Sequence, residues 1–157
     1  MLAAGQASRF GSPKQRLFLP AVLAALEHSV EDVVVVTGAH EVETAARVVQ
    51  CEDWARGPGA SLRCGLAALR HDAEAAIVVL ADGPHLDSRA VDRLVDAWRL
   101  GAGHGLAATY DGVNRSHPVL LARPLWTRVP DEGARALDVG LVSCAGLQPP
   151  GDIDYDY

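Results

Sequence analysis

The chain has 157 residues, 49% of them apolar, with 15 Gly, 9 Pro and a formal net charge of −6. That length suits one domain spanning residues 1–157, with apolar residues enough for a real core. The acidic balance argues against a broad nucleic-acid-binding face, which needs clustered Lys and Arg against phosphate, but leaves room for one small anion held by a local loop.

No apolar run reaches membrane-spanning length, and no charged-then-apolar leader precedes the first motif. Cys51, Cys64 and Cys144 are odd in number and include no C-x-x-C pair. They are expected to be reduced, mostly buried thiols of a cytoplasmic protein. In chain order, residues 1–3 are the visible end of a first strand, followed by a loop of small residues closed by Pro13 and Lys14. Residues 21–28, rich in Ala and Leu, read as a helix. The run VVVVT at 33–37 is β-branched and continuous, as in a strand buried on both faces. Residues 61–70 read as a second helix, and IVVLA at 77–81 as another buried strand. In 87–100, Val91, Leu94, Val95 and Trp98 fall on one helical face, with Asp87 or Ser88 as the cap. GLAATY at 105–110 and HPVLLA at 117–122 read as further strands. Strand–helix–strand order predicts an α/β fold with a mostly parallel sheet wrapped by helices.

In such sheets, ligands sit at the carboxyl ends of the strands. Both the small-residue loop and the LADGPHL stretch at 80–86 fall there. Small residues let backbone N–H groups approach an anion closely, and Lys14 and Arg9 add positive charge. The loop is neither a Walker A motif nor G-x-G-x-x-G; the plainer reading is a strand–helix turn. Asp82, just past a strand end, is either a turn residue or helix cap or a hard oxygen ligand for Mg²⁺, which takes few carboxylates and fills its shell with water and phosphate oxygens. Other chemistries fail: HEVET at 40–44 ends in Thr44, so it is not H-E-x-x-H, and GASLR around Ser61 has Arg63 where G-x-S-x-G needs glycine. Trp54 is expected to pack a loop onto the core rather than to stack on a base.

Six segments occur in order: LAAG with SRFGSPK, then WARGPGASLRCGL, LADGPHL, HPVLL, DEGARAL and GDID. Together they resemble the MobA-like nucleotidyltransferases, especially the branch containing molybdenum cofactor cytidylyltransferase. The resemblance implies a Rossmann-like three-layer sandwich. It implies transfer of a nucleoside monophosphate from an NTP to a phosphorylated small-molecule acceptor, a molybdopterin-type cofactor in the leading reading, with Mg²⁺, releasing pyrophosphate. Ala4 places the chain nearer the cytidylyl than the guanylyl branch, so CTP is favoured over GTP. Carried over by resemblance, Leu2, Ala3, Ala4 and Gly5 pass beside base and ribose, and Arg9 and Lys14 neutralise the triphosphate. Ser61 and Gly65 face the nucleotide. Asp82 binds Mg²⁺, joined by Asp154 or, second, Asp152; the plainer reading leaves those two in a solvated acidic tail. His117 and Arg135 border the acceptor; His117 either touches its phosphate or braces a loop, and Arg135 either does so or pairs with Asp131 or Glu132. A monomer or weak homo-oligomer is expected, with neither nucleic acid nor membrane as partner. The alternatives are transfer to a sugar phosphate or another metabolite, and an inactive nucleotide- or cofactor-binding module.

Overall fold

The computed structural model describes residues 1–4 and 14–151, with side chains for 1–4 and 18–151. In chain order the elements are β1 (Leu2–Ala3), α1 (Lys14–Leu26), β2 (Val34–Thr37), β3 (Arg47–Gln50), α2 (Pro58–Ala68), β4 (Ala75–Val78), α3 (Ser88–Arg99), β5 (Gly105–Thr109), β6 (Ser116–Ala122) and β7 (Gly140–Ser143). β1, β2 and β3 pair in parallel, and β4, β6, β5 and β7 form a second group. The residues following β4 join the two groups. Leu2 N–H donates to the Val79 carbonyl (2.9 Å), and Ala81 N–H donates to the Leu2 carbonyl (3.0 Å), so Leu2 bridges Leu80 in parallel. The result is one sheet in the order β3-β2-β1-β4-β6-β5-β7, parallel except at β6, which runs antiparallel to both neighbours.

Hydrophobic pattern explains the layers. Every residue of β2 is buried, because helices cover both faces there. Alternation along β2 sends Val35 to the α1 side, against Leu19, Ala3 and Ala81. It sends Val34 and Val36 to the α2 side, with Cys51 and Trp54. Leu19, Val22 and Leu26 lie along one side of α1 and are buried. α1 and α3 meet over Val79, through Val22, Leu26, Leu86 and Val91. α3 extends this layer onto Leu106 and Leu120 through Ala90 and Leu94. α2 covers the other face with Leu62 and Leu66, beneath Val78, Val119 and Leu121. This is a three-layer α/β sandwich, as expected. Asp87 is the α3 cap: its side chain accepts from Arg89 N–H at 2.9 Å.

The differences from the expected elements have local causes. α1 begins at Lys14, and α2 begins at Pro58, whose fixed φ suits a first helical turn. β3 and β7 were not expected. They are the two edge strands, mostly exposed, and so lack the continuous apolar run that marks a central strand. The cysteine expectation is corrected. Cys51 and Cys64 are joined in a disulfide, with Cα atoms 5.9 Å apart, and Cys144 is the free, buried cysteine. The chain turns after β3 so that Cys51 lies against α2. Nothing in the spacing of 13 residues announces that approach, and the thiol argument for a reducing compartment goes with it. Among the described residues no helix is long and apolar enough to cross a membrane.

Candidate nucleotide and metal site

β1 ends at Ala3 and Ala4, both buried, where the small-residue loop departs. On one side of this end stands Thr37, the register partner of Ala3; on the other side the chain leaves Ala81 for Asp82. Two successive turns shape that exit: Gly83 N–H donates to the Leu80 carbonyl (3.3 Å) and Leu86 N–H to the Gly83 carbonyl (3.2 Å). Asp82 lines a cavity of about 140 Å³ with Gly83, Ser116, His117, Pro150 and Gly151. Proximity across the sheet explains the company. The β4–β6 register pairs Val78 with Val119, and its continuation sets Leu80 opposite His117. β6 starts at this edge because it is antiparallel. The β5–β6 pairing slips between Ala107 and Ala108 just before Ser116, an irregularity of the kind that re-aims side chains beside sites. The Tyr110 hydroxyl donates to the His117 carbonyl at 2.8 Å, and burial pushes the Tyr110 phenol well above its ordinary range. It therefore stays a neutral donor.

The carboxyl-terminal segment closes the cavity. His85 N–H donates to the Pro150 carbonyl (2.9 Å), and Gly83 lies against Pro150. Gly151 is thus seated beside the Asp82 turn, one and three positions before Asp152 and Asp154. Asp152, Asp154, Gly5 and Arg9 lie outside the described residues, as does the side chain of Lys14. Among the described residues no three His, Cys, Asp or Glu side chains form a cluster able to hold a metal ion. The Asp82 carboxylate is the kind of hard oxygen donor that Mg²⁺ takes, one or two at a time.

The DEGAR segment is pinned at both ends. Asp131 accepts from Arg63 (2.5 Å) and Arg56 (3.3 Å), and these guanidinium groups hold its carboxyl below the usual range, Arg63 leading. Arg63 also donates to the Val129 carbonyl at 2.9 Å, and Gly59 N–H to the Asp131 carbonyl at 2.9 Å. At the other end Arg115 donates to the carbonyls of Ala134 (2.6 Å), Leu137 (3.0 Å) and Arg135 (3.2 Å). Asp131 is therefore taken, and the Arg135 side chain stays exposed; among the described residues it makes no ion pair to Asp131 or Glu132, one of its two readings. Arg115 and Arg63 were not foreseen, because their partners are mostly backbone carbonyls, which leave no trace in side-chain pattern.

Ser61 lies in the first turns of α2 and is 3% exposed, with no hydrogen-bond partner for its hydroxyl among the described residues. Gly65 lies one turn further on. A Cβ there would stand 2.7 Å from Val36 Cγ2, so close helix–strand packing is sufficient reason for that glycine. Trp54 packs beside Val34, Val36 and Cys51, the expected core role. A second cavity, about 530 Å³, opens between β2 and β4 at their amino ends. It lies on the sheet edge opposite to Asp82.

Solved structures share this fold. Rv0371c from Mycobacterium tuberculosis H37Rv is 22% identical with a TM-score of 0.74, over 94% of this chain and 88% of that one. A manganese complex of Rv0371c from the same organism is 21% identical with a TM-score of 0.73, over 94% and 88%. The 4-diphosphocytidyl-2C-methyl-D-erythritol synthase of Anaerococcus prevotii DSM 20548 is 14% identical with a TM-score of 0.61, over 90% and 85%. Among curated proteins none matches this sequence significantly. Residues 1–140 match the MobA-like NTP transferase domain. The chain belongs to the MobA-like NTP transferase family, a family of nucleotidyltransferases.

Proposed function

We propose that this protein transfers a nucleoside monophosphate, with CTP favoured over GTP, to a phosphorylated acceptor of the molybdopterin type, using Mg²⁺. The observation that carries the reading is the position of Asp82. It stands at the carboxyl edge of the sheet, in one cavity with His117 and Gly151, beside the end of β1 where the loop bearing Arg9 and Lys14 departs. Support for the metal is the oxygen donor of Asp82 and the place of Asp152 and Asp154 in the sequence just after Gly151. Of the structures that share the fold, one is a manganese complex and another a 4-diphosphocytidyl-2C-methyl-D-erythritol synthase.

The reaction joins an acceptor phosphate oxygen to the α-phosphorus of the NTP and breaks the bond to the β-phosphate oxygen, so pyrophosphate leaves. No side-chain nucleophile or base is needed, because the acceptor is already ionised. The chain's work is positioning and charge neutralisation. Arg9 and Lys14 offset the triphosphate charge. Leu2, Ala3, Ala4 and Gly5 carry the nucleoside past the end of β1. Ser61 offers a buried hydroxyl, and Gly65 keeps α2 close to β2 behind it. Arg135, held from its backbone by Arg115, and His117, held by Tyr110, border the acceptor. A bound divalent ion at Asp82 and Asp154, or Asp152, would orient the phosphates and stabilise charge on the departing pyrophosphate.

The test is pyrophosphate release from each NTP with and without molybdopterin and sugar-phosphate acceptors. CTP should turn over more than tenfold faster than GTP, and only with the pterin acceptor. Asp82→Asn should abolish metal-dependent turnover in a folded protein, and Lys14→Ala should weaken NTP binding. Turnover with sugar phosphates instead would move the acceptor class. No turnover with any pair, in a protein that binds nucleotide, would establish a binding module in place of an enzyme.

A further inference from the structure

Arg115 is the last residue before β6, and the two residues after it, Ser116 and His117, line the Asp82 cavity. Its guanidinium serves a segment distant in sequence. It donates to the carbonyls of Ala134 (2.6 Å), Leu137 (3.0 Å) and Arg135 (3.2 Å), in and just after the 3₁₀ turn Ala134–Ala136. The turn's own bonds use the Gly133 and Ala134 carbonyls, which leaves those of Arg135 and Leu137 to Arg115. A flat guanidinium, with five N–H donors in a fixed fork, can serve three carbonyls at once; a lysine ammonium offers no such fork. The stem of this side chain is held on both sides. Ahead of it, Asp111 accepts from Asn114 N–H (2.7 Å), Val113 N–H (2.8 Å), the Asn114 side-chain amide (2.7 Å) and the Thr109 hydroxyl (3.1 Å). The backbone amides of Asn114 and Val113 hold that carboxyl well below the usual range, so it stays an ionised acceptor at neutral pH. Behind it, Ser116 pairs with Ala108 across the β5–β6 irregularity. An exposed arginine on a loose loop loses much of its bonding gain to ordering its own stem; here the stem is already ordered.

We infer that Arg115 is a positioning residue for the acceptor half of the site: it fixes the 134–137 turn, which carries Arg135, relative to the Ser116–His117 wall of the Asp82 cavity. The inference rests on the proposed transfer reaction and adds to it a residue that acts without touching either substrate. The other end of the same segment is held independently, by Arg63 on Asp131 and on the Val129 carbonyl. Loss of Arg115 therefore frees the 134–137 end and leaves the crossing over α2 in place. Transfer needs the acceptor oxygen aligned with the α-phosphorus, and a displacement of about 1 Å can cost about 100-fold in rate. Among the described residues the hydrogen bonds of the Arg115 side chain all run to 134–137, and none to the end of β1 or to α2, where the nucleotide contacts of the proposed site lie. The two substrates should therefore respond differently to its removal.

The experiment compares wild type with Arg115→Ala and with Arg115→Lys, which keeps the charge but not the fork. CTP affinity is read by calorimetric titration, and turnover by pyrophosphate release at saturating CTP with molybdopterin varied. Arg115→Ala should lose about tenfold or more in kcat/KM for molybdopterin. Its CTP affinity should stay within about threefold of wild type, the scale of a single hydrogen bond or less. Arg115→Lys should fall between wild type and Arg115→Ala in kcat/KM. A merely structural role would lower CTP affinity and turnover together. Molybdopterin kinetics unaltered in Arg115→Ala, or CTP affinity falling in step with turnover, overturns the positioning role and leaves the transfer reading standing. Should Arg115→Ala fail to fold, Arg115→Lys decides alone: a kcat/KM for molybdopterin equal to that of wild type overturns the role. A wild type without turnover overturns the transfer reading and this inference together.

Discussion

Gly59 shows how tightly one position is drawn. A Cβ at Gly59 would fall 1.6 Å from the Pro130 carbonyl oxygen, because the segment ahead of DEGAR crosses directly over the first turn of α2. Gly57, at φ 135°, takes the chain into that turn through backbone space that side chains avoid. Gly59→Ala must lift the 129–133 segment or shift the helix, a cost of about 1–3 kcal/mol for overpacking. At roughly 2–4 °C per kcal/mol for a chain of this size, the melting temperature should fall by about 2–12 °C; a calorimetric scan showing no change would mean that the segment yields freely. The Asp131 ion pairs over the same crossing add a pH dependence. The Asp131 pKa is lowered, so its contribution is present above the ordinary carboxylate value and fades as pH falls through the lowered one. Asp131 is open to solvent, and its pairs are screened.

At the scale of elements, the Cys51–Cys64 disulfide ties the exit of β3, an edge strand, to α2, which carries Ser61 and Gly65. A cross-link closing a loop of this length is worth about 3 kcal/mol, mainly by restricting the unfolded chain. Protein purified without reductant should therefore show one alkylatable thiol when denatured, from Cys144, and three after reduction. Reduction should lower the melting temperature by roughly 6–12 °C on the scaling above. Three thiols before reduction would refute the pairing. The same link explains how an exposed four-residue strand such as β3 is retained at the sheet edge.

At the scale of the molecule, the sheet is continuous only because Leu2 bonds to the 79–81 segment on one side while β1 pairs with β2 on the other. α1 and α3 meet across the same seam, over Val79. The two strand groups therefore share a core, and the proposed single domain should unfold as one unit. Tryptophan fluorescence and far-ultraviolet circular dichroism should give coincident urea transitions. Two separated transitions would show that β4-β6-β5-β7 unfolds independently.

Local chemistry made much of this legible from the sequence alone. β-branched runs marked β2 and the strand leading to Asp82, helical spacing marked α3, and Asp87 marked its start, because these signals depend on neighbours a few residues away. The motif order was legible for the same reason: strand ends and turns carry their own punctuation. Tertiary structure alone decided the rest. The edge strands β3 and β7 bury too little to declare themselves, the disulfide joins cysteines brought together by a turn after β3, and Arg63 and Arg115 act on carbonyls of a distant segment. Asp82, His117 and Gly151 meet because β6 runs antiparallel and the chain end returns beside His85.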